Sequence, residues 1–133
     1  RFKLDNCGEG KIFFASSAGA VYAGSSNPPF TESSLPIAIS DYGRQKLRIE
    51  DLFSSYGKTN NVKIVIGRIA NLYGTRQNRL KKQGLITTLI QNSLTNRFVN
   101  IYVPLNTIRN YIYTDDAAKK IIWQITNTND LFA

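Results

Sequence analysis

Tyr42-Gly43-Arg44-Gln45-Lys46 sets a phenol and an ammonium four residues apart. In a helix that spacing stacks the two side chains on one face, one turn from each other. A cation beside a phenol favours the phenolate. A phenol so held can take a proton from a substrate hydroxyl, or return one to a carbonyl. A pair of hydroxyls, Ser16 and Ser17, stands upstream, with Ser17 25 residues before Tyr42. The inventory of residue types narrows the chemistry further. Within the 133 residues there is no histidine, and Cys7 is the single cysteine. Histidine-assisted nucleophilic catalysis, histidine-ligated metals, a structural zinc site and an internal disulfide are therefore excluded. Any reaction must run on Ser, Tyr, Lys, Arg and carboxylates.

These groups need a frame to position them. Lys11 to Ser16 is a short apolar, partly aromatic run that reads as a buried strand delivering the serines at its end. Gly24 to Pro36, rich in Ser, Pro and Asn, reads as a loop. Ser40 is then an N-cap for a helix with Leu47, Ile49, Leu52, Phe53 and Tyr56 as its apolar stripe, and Gly57 is placed to close it. This helix carries Tyr42 and Lys46. The β-branched run Val62 to Ile69 predicts a second buried strand. Gly84 opens a further helix through Leu85, Ile86, Leu89, Ile90 and Leu94. Val99 to Val103 and Asn110 to Tyr113 read as short strands. Asp115 and Asp116 suit the start of a last helix, whose stripe is Ala118, Ile121, Ile122 and Ile125. Apolar strands alternating with helices predict an α/β fold, a parallel sheet with helices on both faces. In such sheets ligands bind beyond the carboxyl ends of the strands, which singles out Ser16, Ser17 and Asn71.

Composition agrees with one globular domain, with 42% hydrophobic and 20% charged residues. No apolar run approaches the length that spans a bilayer, and the first residues lack the apolar core of a secretion signal. A cytoplasmic location is the expectation. The formal net charge is +8, and its distribution is uneven. From Leu52 to Thr114 there is no Asp or Glu, against nine cations that include Arg68, Arg76 and Arg109. Such a block favours an anionic partner, either a nucleic acid or a smaller phosphate compound.

Four motifs occur in order: Phe14-Ala-Ser-Ser-Ala-Gly-Ala-Val-Tyr22, Tyr42-x-x-x-Lys46, Arg68-Ile-Ala-Asn-Leu-Tyr-Gly74, and Arg109-Asn-Tyr-Ile-Tyr-Thr-Asp-Asp116, with Thr31-Glu32 between the first two. Together they resemble the extended short-chain dehydrogenase/reductase family, in its NAD-dependent nucleotide-sugar epimerase/dehydratase branch, from about Lys11 to Ile122. The resemblance implies a partial Rossmann-like sheet, NAD or NADP as cofactor, and a nucleotide-diphosphate sugar as substrate. It also implies a homodimer of the complete enzyme, with neither nucleic acid nor membrane as partner. Carried over by position, Tyr42 would be the general acid/base. Lys46 would hold the nicotinamide ribose, and Ser17 would hydrogen-bond the reacting oxygen. Ser16, Tyr42 and Lys46 would line the cofactor. Asn71, Arg109 and Arg76 would contact the substrate, the Arg109 guanidinium fork suiting a diphosphate.

The chain departs from the family pattern in places. Val21-Tyr22-Ala23-Gly24 stands for Val-Tyr-Gly, and Asn110 stands for the usual Asp. Ala18-Gly19 occupy the place of the Asp-Glu pair with which the dehydratases eliminate water, leaving epimerisation or carbonyl reduction as the expected chemistry. The glycine-rich turn that receives the NAD pyrophosphate has no counterpart, since Gly8-Glu9-Gly10 leads into a strand pattern. The expectation is therefore an internal stretch of a longer enzyme: the C-terminal part of the NAD-binding domain with the start of the substrate-binding region. Two other readings compete with it. One is a non-catalytic relative serving as an interaction piece. The other is a basic nucleic-acid-binding module, which would lose affinity steeply with salt.

Overall fold

The computed structural model describes residues 10–75, 77 and 84–127. Among the described residues, eight elements follow one another. They are strand β1 (Lys11–Ser17), the short helix α1 (Ala18–Val21), helix α2 (Asp41–Asn60), strand β2 (Lys63–Ile69), strand β3 (Asn71–Tyr73), helix α3 (Leu85–Leu94), strand β4 (Tyr111–Tyr113) and helix α4 (Thr114–Asn127). They form two compact units. One comprises the described residues up to Ile69 together with the end of α4 from Lys120; the other is Ala70–Lys119.

The first unit is built on a parallel pairing of β1 with β2, in register from Lys11 opposite Lys63 to Ser17 opposite Ile69. The β-branched Ile64 and Val65 of β2 are buried, and Val21 of α1 is fully buried with them. Helix α2 packs on both strands, and the stacked rings of Phe14 and Phe53, 5.1 Å between centroids, join it to β1. Ser40 caps α2, its side chain accepting from the Gly43 amide at 3.1 Å, with Asp41 in the first turn. Gly57 does not close the helix, contrary to the sequence expectation. The helix runs on to Asn60 and ends on Asn61, whose φ of 52° is left-handed and whose amide bonds the Gly57 carbonyl. Gly57 serves close packing instead: a Cβ there would lie 2.6 Å from Ile64 and 2.8 Å from the Val62 carbonyl. The apolar stripe of α2 is also only partly used, since Leu52 remains 69% exposed while Phe53 is covered by Phe14.

The second unit holds β3 and β4, paired in parallel over three positions, Asn71 with Tyr111 through Tyr73 with Tyr113. Thr114 Oγ1 donates to the Tyr73 carbonyl at 2.7 Å and the Tyr73 and Tyr113 rings lie 5.6 Å apart. Gly84 stands at the start of α3, as expected. The expected strand at Val99 to Val103 does not form. Apart from the half-buried Val99 its side chains are exposed, Tyr102 to 89%. Helix α4 begins with Asp115 and Asp116 in its first turn, but the buried position is Ala117 rather than Ala118. Among the described residues no helix is long and apolar enough to cross a membrane.

Candidate active site

Strand β1 ends in Ser16 and Ser17, and the chain turns at once into α1. Ser17 keeps an extended backbone (φ −139°, ψ 110°) and its side chain does not cap that helix. Helix α2 lies against this strand end. Its Tyr42, Lys46 and Glu50 recur at every fourth position and so share one face. The Lys46 ammonium donates to the Ala15 carbonyl at 2.9 Å. It also sits 4.9 Å from the Phe14 ring centre and 5.5 Å from that of Tyr42, distances at which a cation is attracted to a ring face. The phenol and the ammonium are thus held together, with Tyr42 55% exposed. Close approach here depends on Gly43, where a Cβ would come within 2.5 Å of the Ala20 carbonyl of α1.

Ser16, expected beside the cofactor, faces the α2 side of the strand end. It is 6% exposed, and its Oγ donates to Oε1 of Glu50. Glu50, itself 5% exposed, accepts from Arg68 through Nη2 at 2.7 Å and Nε at 3.2 Å. Arg68 Nη1 in turn donates to the Tyr22 hydroxyl at 2.5 Å, and that hydroxyl donates to the Thr31 carbonyl at 3.2 Å. The Glu50 hydrogen bonds hold the Arg68 guanidinium even more firmly protonated than an ordinary arginine; burial acts the other way, and Tyr22 adds to the upward shift.

The second unit carries the residues expected at the substrate. Asn71 lies at the start of β3, where its backbone N–H and its side-chain amide both donate to the Asn110 carbonyl, at 3.2 and 2.9 Å. It borders a concavity of about 310 Å³ lined by Tyr73, Gln77, Leu85, Ile86 and Tyr111 among others. Arg109 is exposed; its Nη1 donates to the neighbouring Ile108 carbonyl at 3.2 Å. It forms no ion pair with Asp115 or Asp116; the pair at that helix start is Lys119 with Asp116, 3.7 Å apart. Arg76 lies outside the described residues.

The sequence profile of the NAD dependent epimerase/dehydratase family matches residues 4–132. The chain belongs to that family. Among similar proteins of the family, one from Methanocaldococcus jannaschii, provisionally named a UDP-glucose 4-epimerase, is 31% identical over 121 residues, covering 91% of this chain and 40% of its own length. A dTDP-4-dehydro-6-deoxyglucose reductase of Escherichia coli is 35% identical over 106 residues, 80% of this chain and 33% of its own. The crystal structure of Thermus thermophilus UDP-glucose 4-epimerase in complex with NAD superposes with a TM-score of 0.78 at 28% identity, over 90% of this chain and 40% of that one. The chain therefore spans at most about 40% of these relatives.

Sequence reasoning missed the Glu50–Arg68–Tyr22 network around the family's strand-end serines. A signal existed. Glu50 continues the spacing of Tyr42 and Lys46 by one further turn, on a face that already has to meet the strand.

Proposed function

We propose that this chain carries the proton-transfer centre of an NAD(P)-dependent nucleotide-sugar 4-epimerase, with Tyr42 as general acid/base. The observation that carries the reading is the Tyr42–Lys46 face of α2, anchored through the Ala15 carbonyl (2.9 Å) at the carboxyl end of a parallel strand. Ligands bind at such ends in open α/β sheets. In this reading the first unit is the C-terminal part of the NAD-binding domain, and the second begins the substrate-binding region.

The residues present fit the ribose end of a nicotinamide dinucleotide. An ammonium has three donors. Lys46 directs one at Ala15, which leaves two for neighbouring ribose hydroxyls, beside an exposed phenol. The chemistry the cofactor supplies is reversible acceptance of hydride. This chain's own groups do the rest. Tyr42, as phenolate, takes the proton of the sugar hydroxyl while the carbon that bears it gives up its hydride. It returns that proton when the carbonyl is reduced on its other face. Lys46 places positive charge next to the phenolate. Ser17, whose Oγ is not engaged in capping, donates to the same substrate oxygen as charge develops there. The exposed Arg109 meets the diphosphate, for which a guanidinium fork is suited, and Asn71 and Arg76 complete the substrate contacts.

Carbonyl reduction is the second reading, favoured by the E. coli relative, a reductase. The same three groups serve it, with Tyr42 delivering the proton. Dehydration is disfavoured, because Ala18 and Gly19 offer no acid or base.

The test uses the complete protein with NAD and a panel of nucleotide-diphosphate hexoses. Tyr42→Phe should abolish turnover while cofactor binding, followed by fluorescence, stays intact. A near-normal rate would refute the assignment. Deuterium placed at the sugar C4 separates the two readings: with NAD an epimerase returns it to the product with no net change in cofactor, whereas a reductase leaves it on the reduced cofactor and, supplied instead with the 4-keto sugar and NADH or NADPH, consumes one equivalent of reduced cofactor per turnover.

A further inference from the structure

We infer that Glu50 is a positioning residue for this proton-transfer centre, acting through Ser16 to hold the Ser17 end of β1 against the Tyr42–Lys46 face of α2. The inference rests on the catalytic reading proposed above for Tyr42, Lys46 and Ser17.

Ser16 of β1 stands directly opposite Arg68 of β2. Paired residues of adjacent strands project to the same side of a sheet. Both side chains converge on one carboxylate, that of Glu50, which is 5% exposed. Arg68 donates to it through Nε and Nη2, at 3.2 and 2.7 Å, so the guanidinium fork fixes the plane of the carboxylate. Ser16 Oγ then donates to Oε1 of this oriented group.

A buried ion pair is weak evidence for stability, since apolar residues of similar volume often serve as well or better. What it supplies here is direction. Two successive residues of β1 are tied to two successive turns of α2: the Ala15 carbonyl to Lys46, and the Ser16 hydroxyl to Glu50. Ser17 is the next residue. Three residues beyond it, Ala20 presses its carbonyl on Gly43, the neighbour of Tyr42. Ser17 is thus bracketed on both sides by contacts to the helix that carries Tyr42. Removing the Glu50 link frees one bracket without touching a reacting group.

The experiment compares Glu50→Ala, Glu50→Gln and Ser16→Ala in the complete protein. It measures kcat, KM for NAD and for the nucleotide sugar, melting temperature, and hydrogen exchange of the Ser16 and Ser17 amides. Misplacement of a catalytic group by about 1 Å costs on the order of 100-fold in rate, so Glu50→Ala should lower kcat about 100-fold with both KM values little changed. Glu50→Gln, which keeps the length and an acceptor for Ser16, should recover most of that loss. Ser16→Ala leaves the ion pair intact and serves where Glu50→Ala fails to fold; it should lower kcat about tenfold, a smaller share of the same geometric effect. In both alanine variants exchange at residues 16 and 17 should quicken while β2 amides keep their protection. A lower melting temperature with kcat and exchange unchanged would make Glu50 a structural residue only and overturn the inference. A raised KM for NAD in Ser16→Ala would overturn it as well, since Ser16 would then be a cofactor contact. Tyr42→Phe separates the two levels. If it is inactive while Glu50→Ala and Ser16→Ala turn over normally, positioning alone fails; if it turns over normally, the catalytic reading fails and takes this inference with it.

Discussion

The two units of this chain hold their candidate site residues by different means. In the first, a seven-position parallel pairing is crossed by directional polar contacts that range from buried (Ser16 to Glu50) to exposed (Lys46 to Ala15), and Tyr42, Lys46 and the serines sit on that braced frame. In the second, β3 and β4 pair over three positions, and Asn71 and Arg109 stand exposed on it. Proton transfer needs atoms held to within a fraction of an ångström, because misplacement is costly in rate. A charged diphosphate tolerates more, because attraction between charges falls off slowly with distance. Under the proposed function, the braced frame coincides with the place where bonds would be made and broken, and the exposed residues with the place where charge would only have to be met.

Substitutions can break or sharpen that contrast. The largest effect is expected from Lys46→Met, which removes the ammonium from beside Tyr42 and from the Ala15 carbonyl. Loss of supported acid/base catalysis should lower kcat by about 10²–10⁴-fold, read by steady-state kinetics of the complete enzyme. An equal loss from any single substitution in the second unit would erase the distinction. Next comes Arg68→Ala, which strands the buried Glu50 carboxylate. It should cost about 3–5 kcal/mol of stability in urea unfolding, the range found when one partner of a buried pair is removed.

A smaller effect is expected at the contact between α1 and α2. Gly43→Ala inserts a methyl group against the Ala20 carbonyl, and overpacking of this kind costs about 1–3 kcal/mol. Denaturation should register that loss, with kcat falling in parallel because Ser17 and Tyr42 flank the contact. The smallest effect belongs to the second unit. Arg109→Ala removes an exposed side chain whose hydrogen bond is to its own neighbour's carbonyl, so stability should change by less than about 0.5 kcal/mol. Its signature is a KM for the nucleotide sugar raised about tenfold, worth ~1.4 kcal/mol, with kcat unchanged. A large stability loss from Arg109→Ala would show the second unit to be braced like the first.

Local patterns were legible wherever local physics decides. The N-cap at Ser40, the β-branched run of β2, the glycine before α3 and the acidic start of α4 all stand where sequence rules put them. The rules failed where a residue had two possible uses. Gly57 can end a helix or admit a close neighbour, and it admits Ile64. The run from Val99 to Val103 has strand chemistry but no strand beside it among the described residues, and pairing needs a partner. Ser16 and Ser17 are chemically alike, and sequence alone does not say which turns inward: Ser16 donates to Glu50, while the Ser17 side chain makes no capping bond to α1.

The order of Ser17, Tyr42 and Lys46, their spacing, and the absence of histidine followed from the amino acids alone, because a period of 3.6 and a side chain's chemistry are properties of single segments. Tertiary structure alone decided that Arg68, 18 residues beyond Glu50, and Ser16, 34 residues before it, would meet on one carboxylate. The register of two parallel strands made that choice. No segment carries its own register, which arises only when strands pair and a helix closes over them.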